Sequence, residues 1–405
     1  MLATDFKPLR ISAPDRRLCF WGAPARVLEE GDYPAKLKGT GANTGNLFIG
    51  HGLFHNTDCA EKRYFPGMAT LAAEKLHEQF DTVFIPASNF VNTSLDLEPW
   101  YDYFSCSKVG LFCFGLGSQL LPDQEAALKP GTERFLRLLG ERSGSIGVRG
   151  TFTAEVMWKL GIRNVSIVGC PSLMNLTTEA MARLASGRPA LDKVALNFSN
   201  NVRSHSISAG AMRTSENALF QRMLSERAFY VLQNETPEME VLAAVKRGES
   251  SAAQAALSRI AALFEVAATR VDVRQALEQR MRVFFSVEEW IGCMRSMTAS
   301  VGTRFHGNIA ALLAGTPALF LVHDMRTLEL CELLRVPHLV LDRPRTAESI
   351  VERLLECDYG PFRQQVSRLQ TEWKLFLARN GLSAAQPAMS APDADAAASC
   401  ELAYA

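Results

Sequence analysis

The chain has 405 residues, is 47% hydrophobic and 21% charged, and carries 43 Lys+Arg against 43 Asp+Glu. That length suits two domains with their connections better than one core. The balanced charge supplies no basic excess to neutralise a phosphate backbone, which argues against a DNA or RNA partner. A local basic pocket stays open, because net charge says nothing about clustering.

Residues 1–17 are mixed in charge and lack an apolar h-region, so no signal peptide is expected. No apolar run is long enough to span a membrane. The nine cysteines are odd in number and scattered, with no C-x-x-C pair, which reads as reduced, buried thiols and a cytoplasmic location. In the first half, strand candidates fall at 18–21, 82–85, 108–114, 145–148 and 165–168, with helical patterns at 67–79, 132–141 and 151–160. Gly161 is placed to end the last of these. The rhythm pauses at 175–192 and resumes with strands at 193–198 and 228–233, then a long helical region at 250–282. Strand and helix alternate from there: strands at 282–286, 299–303, 317–322 and 338–341, helices at 287–296, 307–314, 326–334, 347–356 and 361–378. The pattern predicts an α/β fold of two Rossmann-like domains, 1–180 and 190–382, and residues 383–405 read as a disordered tail.

The most informative segment is Gly302-Thr303-Arg304-Phe305-His306-Gly307-Asn308 and the apolar run after it. It reads as a strand end, a turn, a short helix, a Gly stop at Gly315 and a buried strand. Arg304 and His306 then stand at a helix N-terminus on the C-terminal edge of a parallel sheet, where unpaired amides and an Arg fork favour an anion. The plainer alternative is an Arg304–carboxylate pair with His306 as a helix cap.

Other residues have paired readings. Arg149 follows a strand and precedes Thr151, as either an anion ligand or a surface Arg beside a helix cap. Gln233-Asn234-Glu235 ends a strand, where it contacts substrate or forms an ordinary loop. Asp324 is either a helix cap or a cleft residue, and Arg326 with Glu329 reads as an i, i+3 pair. The Gly/Asn loop 39–46 lets backbone approach a phosphate or sugar, or is a mobile surface loop. His51 and His55 have the spacing to share a helix face, but no nearby Glu completes a zinc motif, and no metal or cofactor is expected. The aromatic residues at 100–104 are either a sugar-stacking platform or core packing. The Ala-rich stretch near 250–269 is read as helix packing or a partner surface.

The segment from Thr303 to Pro317 resembles the C-terminal motif of the polysaccharide pyruvyl transferase family. Ile146-Gly147-Val148-Arg149-Gly150-Thr151, running on to Val168-Gly169-Cys170-Pro171-Ser172, is similar to a second family segment. Gly115-Leu116-Gly117-Ser118-Gln119 resembles the family's first-domain loop. The resemblance implies facing Rossmann-like halves, similar to GT-B glycosyltransferases, and phosphoenolpyruvate as co-substrate. The implied reaction places a pyruvate ketal on a sugar of an exopolysaccharide or glycolipid precursor. A lipid-linked acceptor implies peripheral docking on the membrane. Within that reading Arg304 holds a donor anion, His306 does acid/base work, and backbone amides of Gly307 and Asn308 help hold the phosphate. Arg149, Arg203, Gln233 and Asp324 are further substrate contacts, with His205 in reserve. The chain departs from the pattern after the strand at 193–198, where Asn197-Phe198-Ser199-Asn200 stands in place of an immediate Arg. Alternatives are a glycosyltransferase using a nucleotide sugar, and a non-catalytic sugar-binding or assembly protein on the same fold.

Overall fold

A computed structural model describes residues 6–22, 32–65, 71–121, 127–199, 205–225, 228–266 and 279–385. It contains two sheets whose strands are parallel apart from one short edge strand. The first sheet is built from β1 (Arg10–Trp21), β2 (Thr57–Phe65), β3 (Thr82–Pro86), β4 (Gly110–Leu116), β5 (Ile146–Val148) and β6 (Val165–Ile167). It runs β1-β3-β4-β5-β6, with β2 also paired to β1. The second sheet holds β7 (Val194–Asn197), β8 (Phe229–Leu232), β9 (Met281–Val283), β10 (Ala299–Gly302), β11 (Ala318–Val322) and β12 (His338–Val340), in the order β12-β11-β10-β7-β8-β9. The chain then returns to the first sheet, where β13 (Ser383–Ala385) pairs antiparallel with Arg10–Ser12.

The helices that position the site are α1 (Leu47–His55), α2 (Thr151–Lys159), α3 (Val287–Arg295), α4 (Phe305–Ala314), α5 (Met325–Leu334) and α6 (Gly360–Arg379). The sheets are buried on both faces, which explains strands that read as continuous apolar runs. Alternate residues serve opposite sides. Phe84 and Phe112 point to one core, while Val83, Ile85, Leu111 and Cys113 point to another. In the second sheet Ala195 and Phe320 share the core of Phe84, whereas Val194, Leu196, Leu319 and Leu321 fill a separate one. One apolar core therefore runs from the first sheet through Phe48 and Trp290 to α4 and the second sheet. A joint that apolar resists the relative motion expected of loosely linked domains.

The expected fold class is the one adopted: an α/β fold of two Rossmann-like units. Two assignments change. Helix α6, placed by sequence in the C-terminal unit, lies on the first sheet, where Trp373 Nε1 donates to Val168 O at 2.7 Å and Phe376 packs on Phe112 at 5.1 Å. Residues 383–385, read as the start of a disordered tail, form β13, and 386–405 lie outside the described residues. Strand β2 was not expected, because its sequence TDCAEKRYF alternates half-buried and exposed residues on a charged edge. The long helical region resolves into a helix at Ser250–Leu263, with 267–278 outside the described residues. Among the described residues, eight cysteines are free and no helix is long and apolar enough to cross a membrane.

Candidate active site

Helix α4 begins where β10 ends, and Gly315, at φ 75°, stops it in the left-handed region. Arg304 occupies the N-cap in extended conformation without a capping side chain. The first intrahelical bond runs from Asn308 N to Arg304 O at 3.3 Å. The amides of Phe305, His306 and Gly307 precede it and are the orphan donors of the helix. Asn308 is therefore corrected from phosphate contact to scaffold. Its amide is spent within the helix, and its buried side chain joins Asn197 Nδ2 at 3.0 Å and Ser300 Oγ at 2.8 Å. Gly307 is needed because a Cβ there would come within 2.7 Å of Asn197 Cγ. Asn197, standing where the family resemblance implied an Arg nearby, thus seats the helix on the sheet.

Arg304 is committed to the protein. Its Nε donates to Phe198 O at 3.1 Å and to Glu235 Oε1 at 3.0 Å, and its Nη2 bonds Glu235 and Asn234. Glu235 is fully buried and also accepts from the backbone of Gln233 and Asn234. The plainer sequence reading, an Arg304–carboxylate pair, is the one these contacts support. Thr303 Oγ1 adds a bond to Glu216 at 2.5 Å, so the whole turn is braced from below.

His306, next along, is half-buried and faces the first domain. Its Nε2 lies 3.5 Å from Cys170 Sγ, and its ring stacks on Phe48 with centroids 6.3 Å apart. Burial, then the charges of Arg149 and Arg326, hold its imidazole well below the ordinary pKa. His306 is accordingly neutral at pH 7.

Arg149 comes off the C-terminal edge of β5 and is 3% exposed. Its Nε donates to Gly115 O at 2.8 Å and its Nη1 to Asn89 Oδ1 at 3.1 Å. The buried Nη2 has no hydrogen-bond partner among the described residues. No carboxylate among the described residues forms an ion pair with it, and burial lowers its pKa. Arg149 is thus a buried guanidinium held by neutral oxygens, in contrast to the ion-paired Arg304, and a buried charge of that kind favours a counter-charge beside it. Gly117 makes room for it, since a Cβ there would sit 2.7 Å from Arg149 Cδ. Asn89 in turn lines a cavity of about 550 Å³ with Ser88, Phe90, Asn92, Asp96 and Trp100.

Arg326 is the cation that sequence reading missed. Instead of pairing with Glu329 its Nη2 forms an ion pair with Asp324 Oδ2 at 3.0 Å, and its buried Nε has no hydrogen-bond partner among the described residues. The signal was available: Arg326 follows β11 at the same sheet edge that singled out Arg149. Asp324 caps α5 through Thr327 N at 2.8 Å. Burial alone would raise its pKa, but Arg326, His323 and the Thr327 bonds hold it below the usual carboxylate range. Of its two readings, the cap is the one its geometry supports.

Glu329 crosses to the first domain, where Thr153 donates from Oγ1 at 2.6 Å and from N at 2.9 Å, at the N-terminus of α2. Gln233 also joins the halves: its carbonyl accepts from Thr44 N at 3.0 Å. A Cβ on Gly45 would meet Gln233 Oε1 at 2.4 Å and His306 Cβ at 3.0 Å. The Gly/Asn loop is therefore packed against the site. Gln233 Nε2 is buried without a hydrogen-bond partner among the described residues. Arg203 lies outside the described residues, and His205 is half-buried at a turn. The aromatic stretch is mainly core, with Trp100 packed edge-on against Trp21 and Phe135, although Trp100 also borders the Asn89 cavity. His51 and His55 do share a face of α1, and a Glu does arrive: Glu288 of α3, 2.9 Å from His51 Nε2.

Among solved structures, Anabaena Alr3699/HepE in complex with UDP and glucose is 11% identical, covers 90% of this chain and 95% of its own, and has a TM-score of 0.41. UDP-GlcNAc 2-epimerase from Methanocaldococcus jannaschii is 12% identical, at 87% and 99% coverage and a TM-score of 0.41. The S. aureus MnaA-UDP structure is 9% identical, at 94% and 100% coverage and a TM-score of 0.42. No curated protein matches the chain. The family model described as polysaccharide pyruvyl transferase matches residues 54–325, a span that takes in Arg149, the Arg304–Asn308 turn and Asp324. The chain belongs to the polysaccharide pyruvyl transferase family.

Proposed function

We propose that the protein transfers the pyruvyl group of phosphoenolpyruvate to two hydroxyls of one sugar, closing a cyclic ketal. The observation that carries the reading is Arg149: buried, and among the described residues without a carboxylate ion pair and with an unpaired Nη2. Phosphoenolpyruvate offers a carboxylate and a phosphate, which need two cationic anchors, and Arg149 and Arg326 fill that requirement. The orphan amides of Phe305, His306 and Gly307 accommodate phosphate oxygens at the start of α4.

In this reaction a sugar oxygen bonds to C2 of the donor, and C3 gains a proton to become a methyl group. The C2–O bond to phosphate breaks, and the second hydroxyl closes the ring at C2. Of the two hydroxyl protons released, one balances the proton gained at C3 and the other leaves with phosphate. Neutral His306 is the group suited to take the first. The cavity beside Asn89 suits a sugar, with Asn89, Asn92 and Asp96 for hydroxyls and Trp100 for an apolar ring face. The acceptor is a sugar of a polysaccharide or glycolipid precursor, free or lipid-linked, and the reaction belongs to the cytoplasm.

The test is incubation with phosphoenolpyruvate and a panel of free and lipid-linked glycans, following phosphate release and acid-labile ketal. Phosphate release coupled to ketal on one acceptor supports the reading. Binding of a nucleotide sugar without binding of phosphoenolpyruvate overturns it.

A further inference from the structure

A second cluster lies toward the C-terminal end of α1, beyond Phe48. His51 and His55 are one helical turn apart on α1, with ring centroids 4.2 Å apart. Glu288, in the first turn of α3, reaches across the domain joint to place Oε1 2.9 Å from His51 Nε2. One ligand atom from each of the three lies within 4.8 Å of the other two. An ion with bonds of about 2.0–2.2 Å to nitrogen and oxygen can be enclosed by a trio of that size after small rotamer adjustments.

The neighbouring bonds orient the ligands. Asn175 Nδ2 donates to Ser172 O at 3.1 Å, which turns Asn175 Oδ1 toward His51 Nδ1 at 2.7 Å. His51 therefore carries a proton on Nδ1 and presents Nε2 to Glu288. Hydrogen-bonding one imidazole nitrogen to fix the other toward a metal is the usual device of histidine metal sites. On the carboxylate, Ser286 Oγ occupies Oε2 at 2.7 Å, which directs Oε1 to the trio. Two imidazoles and one carboxylate select a borderline divalent ion, and the solvent-facing side of His55 and Glu288 provides for a water ligand.

We infer that His51, His55 and Glu288 bind one divalent transition ion of the zinc class, which clamps α1 to α3 across the domain joint. Phe48, one turn before His51, packs on Trp290 of α3 at 5.0 Å and on His306. The ion thus fixes the helix that forms one wall of the His306 site.

The experiment uses the full chain, stripped with EDTA and dialysed, titrated with zinc chloride by calorimetry and with cobalt chloride by visible absorption. His55→Ala and Glu288→Gln serve as variants, since both residues are exposed and Gln keeps an oxygen for Ser286 while removing the charge a metal needs. One zinc per chain, cobalt bands without thiolate charge transfer, and a rise in melting temperature on loading are expected. Each variant should weaken zinc by roughly tenfold or more and lose the rise, while circular dichroism of each metal-free variant matches the wild-type protein. Absence of stoichiometric binding at micromolar zinc overturns the site. So does wild-type binding by both variants, which would move the ion to other residues such as the cysteines.

Discussion

The carboxylate of Glu329 on α5 takes both donors of Thr153, its hydroxyl at 2.6 Å and its amide at 2.9 Å, so that one domain caps a helix of the other. Burial pushes the Glu329 carboxyl up to about 7, against the pull of the Thr153 bonds and Arg149. A carboxyl whose folded pKa lies above its unfolded value binds the extra proton only when folded. Its contribution is full below the unfolded value near 4.5 and is lost as pH rises through about 7.

The Glu329→Gln variant lacks this titration. Relative to wild type it should become progressively more stable between pH 4.5 and 7, by on the order of 3 kcal/mol across the window. Denaturant melts of both proteins at several pH values check this. Parallel stability curves would show that Glu329 does not titrate there.

The histidines act with the opposite sign. Burial lowers His323 to about 4 and holds His306 well below its usual value. Folded pKa values below the unfolded one give stability that is present above pH 6.5 and lost as pH falls. A His323→Gln protein should lose less stability than wild type between pH 6.5 and 4, measured by the same melts.

Arg304 and Arg149 should separate cleanly. Arg304→Met leaves the buried Glu235 carboxylate without its counter-charge, held only by the Gln233 and Asn234 amides, which costs about 3–5 kcal/mol of folding stability. Adding Glu235→Leu should restore much of that loss. Arg149→Lys keeps the charge but loses the fork geometry. It should fold with a near-normal melting temperature yet bind phosphoenolpyruvate about a hundredfold more weakly, read by calorimetry. Equal loss of stability in both variants would make Arg149 a structural residue.

Gly45→Ala tests the packed loop. Its Cβ meets Gln233 Oε1 at 2.4 Å and His306 Cβ at 3.0 Å, so the loop or the imidazole must shift. Turnover should drop about tenfold or more, since small displacements of a catalytic group are costly. The assay is phosphate release, with circular dichroism to verify the fold.

Much of the scaffold was legible because both sheets are buried on two faces, which leaves short apolar runs between helical patterns. The strand ends that carry Arg149 and His306 followed from the sheet-edge rule. What stayed hidden was set by contacts distant in sequence. Glu235 claims Arg304 from 69 positions away, and Glu288 meets His51 across 237. Edge strand β2 was concealed by its charged, alternating sequence, and α6 joins the first sheet only through tertiary packing. Asn308 looked like a phosphate contact until its amide proved to be the first intrahelical donor.

The central claim, that the Arg149–His306 pocket turns over phosphoenolpyruvate onto a sugar, is tested most directly by phosphate release coupled to ketal formation across a glycan panel, comparing wild type with His306→Ala. Release and ketal on one acceptor, lost by roughly a hundredfold or more in the variant while phosphoenolpyruvate binding persists, is the predicted result. Undiminished turnover by His306→Ala, or no phosphoenolpyruvate binding by the wild-type protein, would contradict it.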